Sequence, residues 1–196
     1  AITGRTTGIA IMKFLASDHC PEVTLRSLEH DLRHSNDSHY FSAHLYLNEK
    51  KIMRVKNEGV GGCHFYEPTN DLTQARMQEL LDRAKLFCKS ARRDLYDTIC
   101  SSPHVDFTFV DVLVSNLVNE QLTTKHMQKE LRNNIYIIDR DANEGKGYLY
   151  KTNKRPTDTH LKNANKLLTT IGNYFNYTIL NELEEREQLR LWLTIN

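Results

Sequence analysis

In this 196-residue chain the residues best placed to do chemistry lie close together: Asn57-Glu58-Gly59-Val60-Gly61-Gly62, then Cys63, His64 and Tyr66. Successive glycine amides can form an anion-binding concavity, and glycine lets the backbone approach a ligand closely. A nucleotide phosphate loop needs Gly-x-x-x-x-Gly-Lys-Ser/Thr ahead of a helix, and no such Lys-Ser/Thr pair follows these glycines. Two readings therefore stand. The glycines supply positive φ at a tight crossover or bulge between strands. Alternatively, Asn57, Glu58, Gly59, Gly61, Gly62, His64 and Tyr66 form a contact region for a ligand or partner. The catalytic version of the second reading is a small hydrolase or transferase site drawing His44, Cys63 and His64 to the loop. Cys63 and His64 alone make a poor nucleophile pair, because adjacent strand residues point to opposite faces. No catalytic residue is assigned.

Other clusters are weaker. His30-Asp31-Leu32-Arg33-His34 would place two histidines on one helix face for a zinc ion. On a strand the same residues stand roughly 13 Å apart, too far for a common metal. Asp139-Arg140-Asp141-Ala142-Asn143 begins like a calcium loop, but Glu144 occupies the glycine position and Tyr150 that of the bidentate glutamate. A polar turn explains the same residues. No metal site and no cofactor are implied. Lys146, Lys151, Lys154 and Arg155, interleaved with Tyr148 and Tyr150, form a basic patch that could track a phosphate backbone. Cys20, Cys63, Cys88 and Cys100 lack any Cys-x-x-Cys spacing and read as reduced thiols.

These residues need elements to position them. Phe41, Ala43, Leu45 and Leu47 alternate with polar neighbours, which predicts a strand, and Asn48-Glu49-Lys50 turns it back into Ile52–Val55. Val23 to Leu32 fits either period, with strand preferred, and Cys63 to Tyr66 predicts a third short strand. After Pro68 the period becomes helical. Met77, Leu80, Leu81, Ala84, Phe87, Cys88 and Ala91 mark one helix, capped by Thr69 or Asn70. Phe107, Val110, Leu113, Val114, Leu117 and Val118 mark a second over 107–120, and a third is expected over 123–132. A strand at 134–138 pairs with 148–150, a helix starts at Thr157, and Leu183, Leu189, Leu191, Trp192 and Leu193 belong to a terminal helix. Strands followed by helices favour an α+β fold: an antiparallel sheet from the N-terminal half and residues 134–150, packed against several helices. Residues 1–16 read as a leader or tail, and 17–196 as a single domain.

The hairpin and its exit, Phe41–Lys51 followed by Val55–Tyr66, resemble a family of small uncharacterised phage and prophage proteins. Their mark is a strand pair leading into Asn-(Asp/Glu)-Gly-x-Gly-Gly with an aromatic residue soon after. Val110 to Arg140 is similar to that family's second half. The resemblance covers residues 22–150 and implies a mobile-element origin and a compact α+β fold, but no reaction.

The chain holds 26 Lys+Arg against 25 Asp+Glu, a formal net charge of +1, with acids and bases evenly mixed along it. That balance argues against a dedicated nucleic-acid coat or a polybasic membrane binder. The mean hydropathy of −0.57 fits a polar surface over a modest core, and no stretch is apolar enough for a membrane span. The sequence points to an accessory protein that binds a host macromolecule, a protein before a nucleic acid, in a bacterial cytoplasm. Hydrolase or transferase and nucleic-acid binder are the alternatives.

Overall fold

The computed structural model describes residues 15–101, 106–139, 147–150, 155–171 and 177–195. After a one-turn helix, α1 (Ala16–His19), the ambiguous segment is extended as β1 (Val23–His30). Val23 and Leu25 go to the core, and a bulge at Ser27, whose φ is 54°, interrupts the ladder between Arg26 and Glu29. β2 (Tyr40–Leu47) and β3 (Lys50–Glu58) form the expected hairpin. Its turn is Asn48-Glu49, both at positive φ, the geometry that matches the natural twist of two paired strands. β4 (Phe65–Pro68) adds the third predicted strand slightly later than expected. The four strands form one antiparallel meander in sequence order.

Phe41, Ala43, Leu45, Leu47, Ile52, Met53 and Val55 line the buried face. Each large side chain among them stabilises the fold by about 1.5–3 kcal/mol through removal of apolar surface from water. α2 (Gln74–Ala91) buries Leu80, Leu81, Ala84, Phe87, Cys88 and Ala91, as its periodicity predicts. Its cap is Thr73 rather than Thr69 or Asn70, because the Thr69 hydroxyl and N–H are drawn to the Ile52 carbonyl of β3. α3 (Arg93–Cys100) was not expected. α4 (Asp106–Asn133) is a single helix where two were expected. It buries Phe109, Val110, Leu113, Val114, Leu117 and Val118, whereas Phe107 stands exposed.

The chain divides into two compact units, one of Phe14–Glu120 and one running from Gln121 onward. In the second, β5 (Ile135–Asp139) is flanked by β6 (Gly147–Tyr150) and β7 (Tyr177–Ile179), both antiparallel to it. The strands at 134–150 thus build a sheet of their own rather than extending the first. Ile135, Ile137 and Ile179 pack with Ala164 of α5 (Asp158–Ile171), and α6 (Glu185–Ile195) buries Leu189 and Trp192. The fold is α+β. No helix among the described residues is long and apolar enough to cross a membrane. Of the leader expected over 1–16, only Leu15 and Ala16 are described, and both are buried.

The three glycines of the loop have φ of 76°, 82° and 91° at Gly59, Gly61 and Gly62. They differ in surroundings: a Cβ on Gly59 would run into the His34 carbonyl oxygen, while one on Gly62 would meet nothing within 4 Å. Gly59→Ala is expected to destabilise the protein by about 3 kcal/mol, and Gly62→Ala by about 1 kcal/mol from backbone strain alone. Denaturant unfolding of the two variants checks the order; equal losses would place both effects in the backbone.

Candidate functional site

The loop between β3 and β4 is organised by one buried side chain. Asn57 is the last inward-facing residue of β3 and only 3 % exposed. Its Oδ1 accepts the Gly59 N–H at 2.8 Å and the Ser38 hydroxyl at 2.7 Å. Its Nδ2 donates to His64 Nδ1 at 3.0 Å and reaches the Gly62 carbonyl at 3.5 Å. The Gly59 carbonyl in turn accepts the N–H groups of Asn36, Asp37 and Ser38, at 2.9, 3.1 and 3.4 Å. Gly61 N–H donates to Ser38 Oγ at 3.1 Å. Two of the glycine amides that could have received an anion are therefore already engaged within the protein. Glu58 ends β3 opposite Tyr40 and is exposed.

The other wall is a stripe on α4. Phe107, Asp111, Ser115 and Asn119 recur every four residues and so lie on one side of the helix. Phe107 packs its ring on Tyr66, with centroids 5.5 Å apart. The Tyr66 hydroxyl donates to Asp111 Oδ1 at 2.6 Å. His64 Nε2 lies 2.9 Å from Ser115 Oγ. Asn119 Oδ1 lies 2.8 Å from His39 Nε2, and His39 Nδ1 lies 3.1 Å from His30 Nε2. Asp111, Ser115 and Asn119 were missed by sequence reasoning, and His39 was considered only as a third zinc ligand for His30 and His34. The available signal was three polar side chains at four-residue spacing, Asp111, Ser115 and Asn119, in and just after the apolar run 107–118.

The protonation pattern follows from geometry. A backbone N–H can only donate, so the Asn57 atom facing Gly59 is its oxygen, and the amide nitrogen faces His64. His64 Nδ1 must then accept, which leaves the ring proton on Nε2, toward Ser115. An imidazole with its proton on that side cannot take the serine's proton, the defect that a wrong tautomer introduces into a serine triad. Burial pushes the His64 pKa down, with the Asp111 carboxylate opposing that shift. Cys63 is exposed, and its pKa is raised by the Asp111 charge and by donating a hydrogen bond to it, the opposite of what activates a thiol. Burial, followed by the Asp111 charge, raises the Tyr66 pKa. The arrangement fixes a loop; it does not prepare a nucleophile.

The remaining candidates lie elsewhere or apart. His44 pairs across the sheet with Arg26 and Arg54, on the face opposite Ala43 and Leu45, and does not join His64. His30 and His34 do not share a helix face: His30 closes β1 and turns to His39, while His34 Nδ1 bonds Asp31 Oδ2 at 3.0 Å. No cluster able to hold a metal ion forms among the described residues. Lys146, Lys151, Lys154 and the calcium-like run beyond Asp139 lie outside the described residues. Arg155 is described and exposed. All four cysteines are free, with Cys20 and Cys88 buried and their pKa values pushed up by burial to about 11 and about 12. No family model, curated protein or solved structure matches the chain.

Because His64 is held below the ordinary value of 6.5, the unfolded chain takes up a proton there that the native state resists. The stability contributed by the neutral ring is full above 6.5 and is lost as pH falls toward the folded value. The melting temperature is expected to drop as pH falls below the ordinary value of 6.5, and His64→Gln should flatten that drop. Identical pH slopes for variant and parent, followed by thermal melts, would remove His64 as the source.

Proposed function

We propose that the chain is an accessory protein of a phage or other mobile element that binds a host protein in the bacterial cytoplasm, using the glycine-loop end of its first sheet. The observation that carries this reading is a cluster of apolar side chains held out on a fixed backbone. Val60, at the loop's tip, is 64 % exposed, and Phe65, at the start of β4, is 53 % exposed. Leu32 is 77 % exposed on the short helical turn Leu32–His34. The residues just after that turn donate to the Gly59 carbonyl. Tyr40, 40 % exposed, stands opposite Glu58 at the same end of the sheet. Four of the seven large apolar side chains exposed among the described residues thus gather at this end.

Exposed apolar groups on an ordered loop suit a protein interface, since little further ordering is needed on binding. Aromatic anchors are enriched at such interfaces. Phe65 has this role here, because Tyr66 is turned inward to Asp111. The His64 tautomer and the raised Cys63 pKa weigh against the hydrolase or transferase alternative. The evenly balanced charge weighs against a general nucleic-acid binder.

The test is capture from a bacterial lysate with and without nuclease, comparing the parent with Val60→Asp, Phe65→Asp and Tyr66→Phe. One stoichiometric protein should survive nuclease and be lost with either aspartate variant, each substitution weakening binding by about 1–3 kcal/mol. Tyr66→Phe should retain it. Capture that nuclease abolishes, and that the aspartate variants leave unchanged, would move the function to nucleic acid.

A further inference from the structure

The second unit contains an open cleft of about 420 Å³, within the size range of small-molecule sites. It lies between the C-terminal end of α4, the segment entering α5 and the start of α6. Two arginines line it, Arg132 from the last turn of α4 and Arg155 from the approach to α5. Neither has an ion-pair or hydrogen-bond partner among the described residues. In the first unit, by contrast, Arg26, Arg33, Arg54, Arg83 and Arg92 each face a carboxylate. Arginine forks that make no ion pair of their own match the oxygens of a phosphate group.

The rest of the lining is amphipathic. Leu131, Pro156 and Leu161 supply an apolar wall. Gln128 donates its amide nitrogen to Glu185, and Gln188 donates to the Leu180 carbonyl at 3.1 Å, so each amide oxygen remains an acceptor for an N–H group. Asn181 fixes this wall, donating to the Leu131 and Asn134 carbonyls at 3.0 and 2.9 Å and accepting the Tyr136 N–H at 3.0 Å. Glu185 is the one carboxylate of the lining, leaving a single net positive charge. That limits how much anionic charge the cleft can take.

We propose that this cleft binds a phosphate monoester on a small, flat, N–H-bearing body, the chemistry of a nucleoside monophosphate. The arginines take the phosphate, the apolar wall covers the ring, and the glutamine oxygens receive the base. Glu185 disfavours longer polyphosphates and a continuous nucleic-acid backbone. The site lies in the other unit from the protein-binding surface and stands or falls separately from it.

Calorimetric titration of the full chain with AMP, adenosine, inorganic phosphate and a single strand of about 12 nucleotides tests this. AMP should bind with one-to-one stoichiometry, and adenosine and phosphate each at least about tenfold more weakly. Arg132→Gln and Arg155→Gln should each weaken AMP about tenfold without shifting the melting temperature, and Glu185→Gln should tighten it. The proposal is overturned by no saturation below about 10 mM AMP, or by equal affinity for adenosine and AMP. It is also overturned if the arginine variants bind AMP as the parent does, or if the strand binds more tightly than AMP through the same arginines.

Discussion

The Asn57 side chain is the constraint on which the glycine-loop end of the first unit depends. It is one of two buried polar residues among those described, and its amide reaches four partners: the Gly59 N–H, the Ser38 hydroxyl, the Gly62 carbonyl and His64. A buried polar group left without partners costs about 1–3 kcal/mol, so the side chain is stable there only with the loop wrapped around it. The dependence runs both ways. Gly59 must adopt positive φ to aim its N–H back at Asn57 while offering its carbonyl to Asn36, Asp37 and Ser38. One amide thereby ties the end of β3, the loop and the segment before β2 into a single rigid body.

The same amide reaches α4 at one remove. Orienting Asn57 fixes which nitrogen of His64 carries the proton, and that proton meets Ser115. Tyr66 and His39 repeat the pattern one turn to either side, at Asp111 and Asn119. An apolar helix face would have packed on the sheet with equal burial. The polar stripe instead permits one register, since a rotation or a shift by one residue would strand three buried or half-buried groups. Specificity of docking is the physical return on placing polar groups in such a position, and a fully satisfied network imposes little net penalty.

Local interactions were legible in the sequence and distant ones were not. The hairpin was readable because Phe41 to Leu47 alternate and Asn48-Glu49 accept positive φ, both properties of residues within ten positions of one another. The same holds for the buried face of α2 and for positive φ at Gly59, Gly61 and Gly62. The break expected between 120 and 123 does not form, and one helix runs through Thr123-Thr124 despite their weak helix propensity. Phe107 was assigned to the core by periodicity, yet Phe109 takes that place and Phe107 packs on Tyr66, a residue 41 positions away in sequence. β7 is three residues long and exists only because β5 offers it an edge. Asn57 was singled out as part of a glycine motif, but its role as the hub depends on Ser38 and His64, which no local pattern connects to it.

The network also bears on the choice between the proposed binding role and catalysis at this end of the molecule. A hydrolytic site needs a base free to accept a proton and a nucleophile whose proton can leave. Here the ring nitrogen nearest the hydroxyl already holds its proton, and the nearby thiol is made harder to ionise by Asp111. Reversing the His64 tautomer would require Asn57 to present its oxygen to His64, and its nitrogen would then face the Gly59 N–H, donor against donor. The backbone at Gly59 therefore holds His64 in a tautomer unsuited to act as a base on Ser115. What the same constraint provides is a loop of preset conformation, with Val60 and Phe65 held in water on either side of it. Preorganised apolar groups lose little entropy on association, so the hydrophobic gain of covering them is retained as affinity. The rigidity that fixes the His64 tautomer is the property that the proposed binding edge requires.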